Sequence, residues 1–376
     1  MSFSSTRSCR SYFFMSVNPK VALLPSHPSF GWESMNRYHD EILGVEDSGL
    51  QFVTPFGRES MVGAPVEGKL AQNVHRFIRY PQLIKSLGPV GLYHILDHSF
   101  SDLLTRCPKA TPKVVTVHDL LPLSDEVNLT PSRRRRFFKR VQLLKKADHL
   151  VCVSDYTAQD VMQKLEIPSD KITVNLNGVN RSFFSSGTSV PEMVQGYKDV
   201  FKILILGTSN PRKNLAILPE VIRRIGSLGK EVAVIKAGRH FDAGIRSELM
   251  EVVDESMICE LGFCPEGQLP NLLGFCDVLF FPSLAEGFGL PVLEAMAAGC
   301  PVVCSNRTSI PEVGGDAVLY FDPTDIEEGA AQIRRLIEEP KLSGELIEAG
   351  RERASSISWE NHVKVLSGIY RDLTGS

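Results

Sequence analysis

The chain lacks the marks of several protein classes. No apolar run approaches the roughly 20 residues of a membrane-spanning helix. Lys and Arg together number 41 against 44 Asp and Glu, a net charge of −3, so no global basic field argues for nucleic acid as a partner. The eight cysteines are scattered singly, with no C-x-x-C and no zinc-ligand spacing. Cys152 and Cys304 fall in apolar strand-like runs, where a reduced buried thiol is the expected state, and a cytoplasmic location fits. No D-x-D occurs. No G-x-G-x-x-G follows a strand, which counts against a dehydrogenase. Residues 1–14 contain Ser and Arg but no acidic residue, and Met15 follows. They read as a targeting peptide, a misassigned start or a disordered extension, and take no part in the fold expected here.

What is present is a chain of 376 residues, long for one core and suited to two domains. Short apolar strand signals alternate with helical ones, which predicts α/β architecture with parallel sheets. Strands are expected at Lys20–Pro25, Gly91–Ile95, Lys113–His118, His149–Val153 and Lys171–Leu176, and Ser154 reads as the N-cap of a following helix. Residues 181–197 are polar and turn-rich, as a linker would be. The alternation restarts at Phe201–Gly207 and continues at Glu231–Ala237, Met257–Leu261, Asp277–Phe281 and Pro301–Cys304. Ser358-Trp359 opens a last amphipathic helix. The expected division is 15–185, a linker at 186–198, a second domain at 199–355, and a terminal helix within 356–376.

The most informative stretch is Pro282–Glu294. Glu286 and Glu294 stand on either side of a Gly287-Phe288-Gly289-Leu290 turn, between the apolar run Asp277–Phe281 and a good helix former from Pro291 onward. A strand, a Gly-rich turn and a helix start present free backbone N–H groups and the positive end of a helix dipole, an anion site. Carboxylates beside such an anion serve best as hydroxyl acceptors, and sugar or ribose hydroxyls are the obvious donors. A second strand–loop–helix start is Gly207–Leu215, where Arg212 offers a bidentate fork and Lys213 a compact charge for a diphosphate.

The segment E-G-F-G-L-P-x-L-E-A-M-A-x-G-x-P-V-V, Glu286 to Val303, resembles the donor site of retaining glycosyltransferases of the GT-B fold, family 4. The resemblance covers roughly residues 15 to 375 and is strongest after residue 200. It implies two Rossmann-like domains with parallel sheets facing across a cleft, and a last helix that crosses back to the first domain. It implies that Glu286 contacts the transferred sugar and Glu294 the ribose, and that Lys213 and Arg212 of the P-R-K-N loop neutralise the leaving diphosphate. Gly31, in a loop that retains Arg37-Tyr38 but carries less glycine than usual, is expected near the diphosphate, and Arg239 near the base. His98 and His118 follow strand ends where open α/β sheets bind ligands, and the resemblance places such a histidine near the reacting sugar. Each could instead be a polar group capping a strand end.

The activity implied is transfer of a hexose from a nucleotide-sugar donor, GDP-mannose weakly preferred, to a glycan or lipid-linked acceptor in polysaccharide assembly, independent of metal. No cofactor is expected, because the nucleotide-sugar is a substrate. No side chain presents itself as a general base, in line with the same-face mechanism proposed for this family. Two other readings are a sugar-nucleotide epimerase on the same fold and a non-catalytic nucleotide-sugar-binding partner. Residues 132–146 carry Arg133 to Arg136, Lys139, Arg140, Lys145 and Lys146 among Phe137, Phe138, Val141, Leu143 and Leu144. This segment reads either as peripheral contact with an anionic inner membrane face or as a core-packed helix with a solvated basic side.

Overall fold

In the computed structural model of the protein, residues 19–27, 30, 33–46, 49–56, 68–185, 187, 190–226 and 229–376 are described. Residues 1–14 and Gly31 lie outside them. Two six-stranded parallel sheets are present among the described residues. The first comprises β1 (Lys20–Leu24), β2 (Gln51–Val53), β3 (Leu92–Ile95), β4 (Lys113–Val117), β5 (His149–Cys152) and β6 (Ile172–Val174), in spatial order β2-β1-β3-β4-β5-β6. The second comprises β7 (Phe201–Leu206), β8 (Val232–Ala237), β9 (Ile258–Gly262), β10 (Val278–Phe281), β11 (Val302–Ser305) and β12 (Leu319–Phe321), in order β12-β11-β10-β7-β8-β9. Residues of β3, β4, β7, β8, β10 and β11 are buried throughout, so these strands read as mainly apolar runs, broken by single buried polar residues such as His94, Thr116 and Lys236, rather than as alternating ones.

Each order has one point where the chain reverses direction across the sheet, and open α/β sheets bind ligands in the crevice at such points. In the first sheet it lies between β1 and β3, in the second between β7 and β10. The β7 and β10 ends carry the Gly207–Leu215 loop and the Glu286 turn respectively.

Each sheet is covered on both faces. The last helix, Trp359–Thr374, is capped at its start by Ser358, whose side chain accepts from the Asn361 N–H. Its Trp359, Val363, Leu366 and Tyr370 pack with Val21, Leu23, Tyr38 and Leu92 of the first half. The chain crosses between the halves twice, side by side. A Cβ on Gly178 would sit 2.2 Å from the Trp359 nitrogen, so only glycine lets the two crossings touch. The described residues of 181–197 are less loose than the composition suggests. Two 3₁₀ turns, Arg181–Phe184 and Glu192–Tyr197, bury Phe183 and Val194 in the second core.

A buried polar chain fastens the last helix. His362 Nδ1 donates to the Leu176 carbonyl (2.9 Å), so its Nε2 accepts from the Tyr38 hydroxyl (2.9 Å). Tyr38 accepts from Thr116 (3.1 Å), Thr116 from His94 Nε2 (2.8 Å), and His94 Nδ1 from Tyr370 (2.6 Å). The bonds run one way and leave both imidazoles neutral. Burial first, then neighbouring imidazoles, push His94 down to about 3, and burial likewise takes His362 to about 4. Both groups would titrate near 6.5 in the unfolded chain. The unfolded state therefore binds more protons as pH falls below about 6.5. The stability these groups contribute is fully present above that pH and is lost as pH falls through the folded values. Urea midpoints should drop between pH 6.5 and 4 by the equivalent of roughly a few kcal/mol, and the slope should be shallower in His362→Gln. A wild-type profile flat over this window would count against the neutral chain.

Candidate donor site

At the second switch point Pro211–Lys213 forms a single 3₁₀ turn. The Asn210 side chain opens it by accepting from the Arg212 N–H (3.0 Å). The turn aims both cations at one carboxylate. Lys213 Nζ lies 2.7 Å from Glu286 Oε1 and Arg212 Nη1 2.8 Å from Oε2, and Arg212 also donates to the Ala285 carbonyl. Burial alone would raise the Glu286 carboxyl; Lys213 and Arg212 overcome it and hold the group below its ordinary value. The Glu286 backbone is fixed at both ends: its N–H donates to Thr308 Oγ1 (2.9 Å) and its carbonyl accepts from Ser309 Oγ (2.8 Å). Thr308 has φ +56°, a region that a β-branched residue seldom occupies, so its conformation is held by the surroundings. The Thr308 and Ser309 roles carry no sequence signal beyond a polar loop.

Gly289 precedes the helix Leu290–Ala298, in which Glu294 is buried. Glu294 has a partner from across the cleft. Arg37, from the first-half helix Glu33–Gly44, forms an ion pair with its Oε1 and lies 5.6 Å from the Phe183 ring centroid. This pair spans 257 residues, beyond the reach of local pattern. If Glu294 holds the ribose, as the resemblance implies, Arg37 competes with it. Arg37→Ala should then bind nucleoside diphosphate about three- to tenfold more tightly by calorimetry. Weaker binding would instead put Arg37 in contact with the nucleotide.

The turn is clasped to the first half. Ser154 Oγ donates to the Gly287 carbonyl (2.8 Å), and Thr157 Oγ1 does so at 3.3 Å. Glu312 accepts from the Asp155 and Tyr156 N–H groups (2.6 and 2.7 Å), capping the helix Asp155–Leu165 from across the interface. Phe288 is buried in the second core.

Lys236 escaped the sequence reading because strands rarely bury lysine. It is fully buried in β8 and donates to the Gly207 carbonyl and, at 3.4 Å, to that of Ala237. Burial, aided by the charge of Lys213 and opposed by Glu260, brings it down to about 8. It supports the Gly207 turn from below. Arg239 is exposed at the end of the same strand.

Of the two first-half histidines, His118 spends its Nε2 proton on the Leu96 carbonyl (2.8 Å), and its backbone N–H reaches His98 Nδ1 (3.3 Å). His98 therefore keeps its proton on Nε2, as a donor. The His98 and His118 rings are 6.3 Å apart, and the His118 carbonyl abuts Gly287. Lys213, Arg212, Glu286 and Gly207 are thus gathered at one switch point. His98 and His118 approach it from the facing sheet, Glu294 is bridged across the cleft, and Gly31 lies outside the described residues.

The helix Pro131–Val141 sends Phe137 onto the first core, 6.0 Å from His98, while Arg133, Arg135, Arg136 and Phe138 are exposed. Arg134 pairs with Asp125 (3.2 Å). Among the described residues no helix is long and apolar enough to cross a membrane, and no three His, Cys, Asp or Glu side chains group as a metal site would.

Two family models match the chain: Glycosyltransferase Family 4 over residues 52–183 and Glycosyl transferases group 1 over residues 192–353. The O-antigen chain mannosyltransferase B of Escherichia coli is 30% identical over 257 residues, covering 66% of this chain and 67% of that protein. The serotype-specific mannosyltransferase WbdA of Escherichia coli is 28% identical over 276 residues, 70% of this chain but 34% of that protein, so the chain spans about a third of it. The sucrose-phosphate synthase structure from Thermosynechococcus elongatus superposes with a TM-score of 0.73 at 17% identity, covering 95% of this chain and 99% of that one; at that identity the likeness is one of fold. With both sheets, the clasped Gly-rich turn and both family matches in place, the chain belongs to the GT-B glycosyltransferases of family 4, enzymes that act on nucleotide sugars.

Proposed function

We propose that this protein moves a hexose, mannose from GDP-mannose in the reading we favour, onto a hydroxyl of a glycan or lipid-linked acceptor, with retention at the anomeric carbon. The observation that carries the proposal is the Lys213–Glu286–Arg212 cluster at the second switch point. Residues 199–355 would hold the donor and 15–185 the acceptor, with 186–198 linking them and the terminal helix within 356–376 returning to the first. The preference for mannose leans on two relatives that are mannosyltransferases.

The incoming diphosphate draws Lys213 and Arg212 from Glu286. The N-terminus of the helix Leu290–Ala298 adds its dipole to the charge that develops on the leaving group, the largest rate contribution expected. Glu286, released from its cations, accepts hydrogen bonds from the sugar hydroxyls, and His98 Nε2–H donates to the sugar. The acceptor oxygen bonds to the anomeric carbon on the face from which the phosphate oxygen departs, and the acceptor proton passes to that phosphate. A base from the protein is not required. The basic helix Pro131–Val141 would rest on an anionic membrane surface when the acceptor is lipid-linked.

The test is transfer from GDP-mannose, UDP-glucose and UDP-galactose to mannosyl acceptors, followed by mass spectrometry and the anomeric coupling of the product. An α-mannosidic product should form equally well in EDTA. Abolition by EDTA, or full transfer by Glu286→Ala, would sink it.

A further inference from the structure

The switch point of the first sheet carries its own cluster, which the donor chemistry does not use. Beyond β1, Ser26 donates to Asp97 beyond β3 (2.5 Å), closing the crevice floor. Next to Ser26, His27 is buried, its ring edge-on to Phe56 and to His75 at 4.9 Å each. His75 opens a single π-helical turn, His75–Arg79, a local distortion often found at functional sites. Arg79 Nη1 lies 3.2 Å from His75 Nε2. Arginine can only donate, so the His75 proton sits on Nδ1, 3.4 Å from His27 Nε2. Three cationic or protonatable groups thus stand in line at a ligand-binding crevice. The neighbouring Arg76 is neutralised by Asp102, whereas among the described residues exposed Arg79 contacts an imidazole and no carboxylate. Burial, then His75 and Arg79, push His27 down to about 4, which an anion would relieve. Phe77 and Ile78 of the same turn are 47% and 54% exposed, and Leu70, before it, 80%.

We propose that His27, His75 and Arg79 form a phosphate-binding subsite on the acceptor side, which takes a phosphate borne by the sugar-accepting molecule. This rests on the glycosyl-transfer reading. The guanidinium, turned from His75 Nε2, gives the phosphate a two-pronged contact, and that nitrogen, protonated in exchange, supplies a further N–H donor while His27 Nε2 continues to accept from His75 Nδ1. A lipid headgroup and a soluble sugar phosphate share this chemistry.

The experiment uses the full-length protein with ¹³C-labelled histidine rings, in millimolar GDP so that the donor site is filled. Ring signals of His27 and His75 are assigned with His27→Gln and His75→Gln. Glycerol 1-phosphate and dihexanoyl phosphatidylglycerol are titrated separately. Both signals should move saturably, and Arg79→Ala, an exposed substitution that leaves the fold alone, should weaken the response about tenfold or more. Tighter saturation by the lipid form assigns the phosphate to a lipid whose chains lie on Leu70, Phe77 and Ile78; equal saturation assigns it to a soluble acceptor. Signals that stay fixed with both probes, or move equally in Arg79→Ala, overturn the subsite. Failure of GDP to bind in the same sample would be a failure of the transfer reading instead, and the phosphate titration without GDP still decides the subsite.

Discussion

Glu286→Gln is expected to separate binding from turnover. The Glu286 carboxylate occupies both Lys213 and Arg212, at 2.7 and 2.8 Å, and a diphosphate must displace it. Glutamine keeps the shape but not the charge, so both cations are freed. Nucleoside diphosphate should bind about three- to tenfold more tightly, while transfer falls by about 10²–10³-fold because a preorganised charge at the reacting sugar is lost. Calorimetry and steady-state transfer read the two effects. Weaker binding together with unchanged transfer would mean that Glu286 only braces the loop.

Gly287→Ala should damage catalysis through the interface rather than through the donor site. A Cβ there would lie 2.2 Å from the His118 carbonyl oxygen and 2.8 Å from Asp119 Cβ. The first obstacle is backbone, so the halves must part by about an ångström. That weakens the Ser154 and Thr157 bonds to the Gly287 carbonyl and draws the Glu312 cap away from the helix Asp155–Leu165. A displacement of this size between donor and acceptor sides costs about 10²-fold in rate. Nucleotide affinity should not fall, since Lys213, Arg212, Glu286 and Glu294 all belong to the second half and parting the halves only loosens the competing Arg37–Glu294 pair. Solution X-ray scattering should report a larger radius of gyration. Unaltered transfer would show that the closed interface is not the reactive arrangement.

How much of this was legible in the chain depended on whether the signal was local. Strand, turn and helix start lie within one window at Asp277–Ala298, so the Glu286 turn and its helix could be read directly, as could the P-R-K-N loop. The three-residue edge strands β2 and β12 were missed because so few residues carry no period, whereas β6, equally short and at an edge, was read within the longer run Lys171–Leu176. The Lys69–Ser86 helical stretch was missed too: its exposed Leu70, Phe77 and Ile78 blur the apolar face that marks a helix. Arg37–Glu294, His27–His75 and Glu312 with Asp155 join residues far apart in sequence, and chain pattern reports no such contacts. Tyr38 illustrates the limit. The resemblance marked Arg37-Tyr38 as one motif, yet Arg37 reaches across the cleft while Tyr38 turns inward to fasten the last helix.

The most direct measurement is calorimetric titration of GDP, UDP, dTDP and ADP into the EDTA-treated protein and into Lys213→Ala. One diphosphate should bind the wild type without metal and lose at least about tenfold in affinity in the variant, as removal of a charge-assisted contact requires. Equal affinity in both proteins, or no binding by any of the four, would contradict the assignment of the Lys213–Glu286–Arg212 cluster as the diphosphate-sugar site.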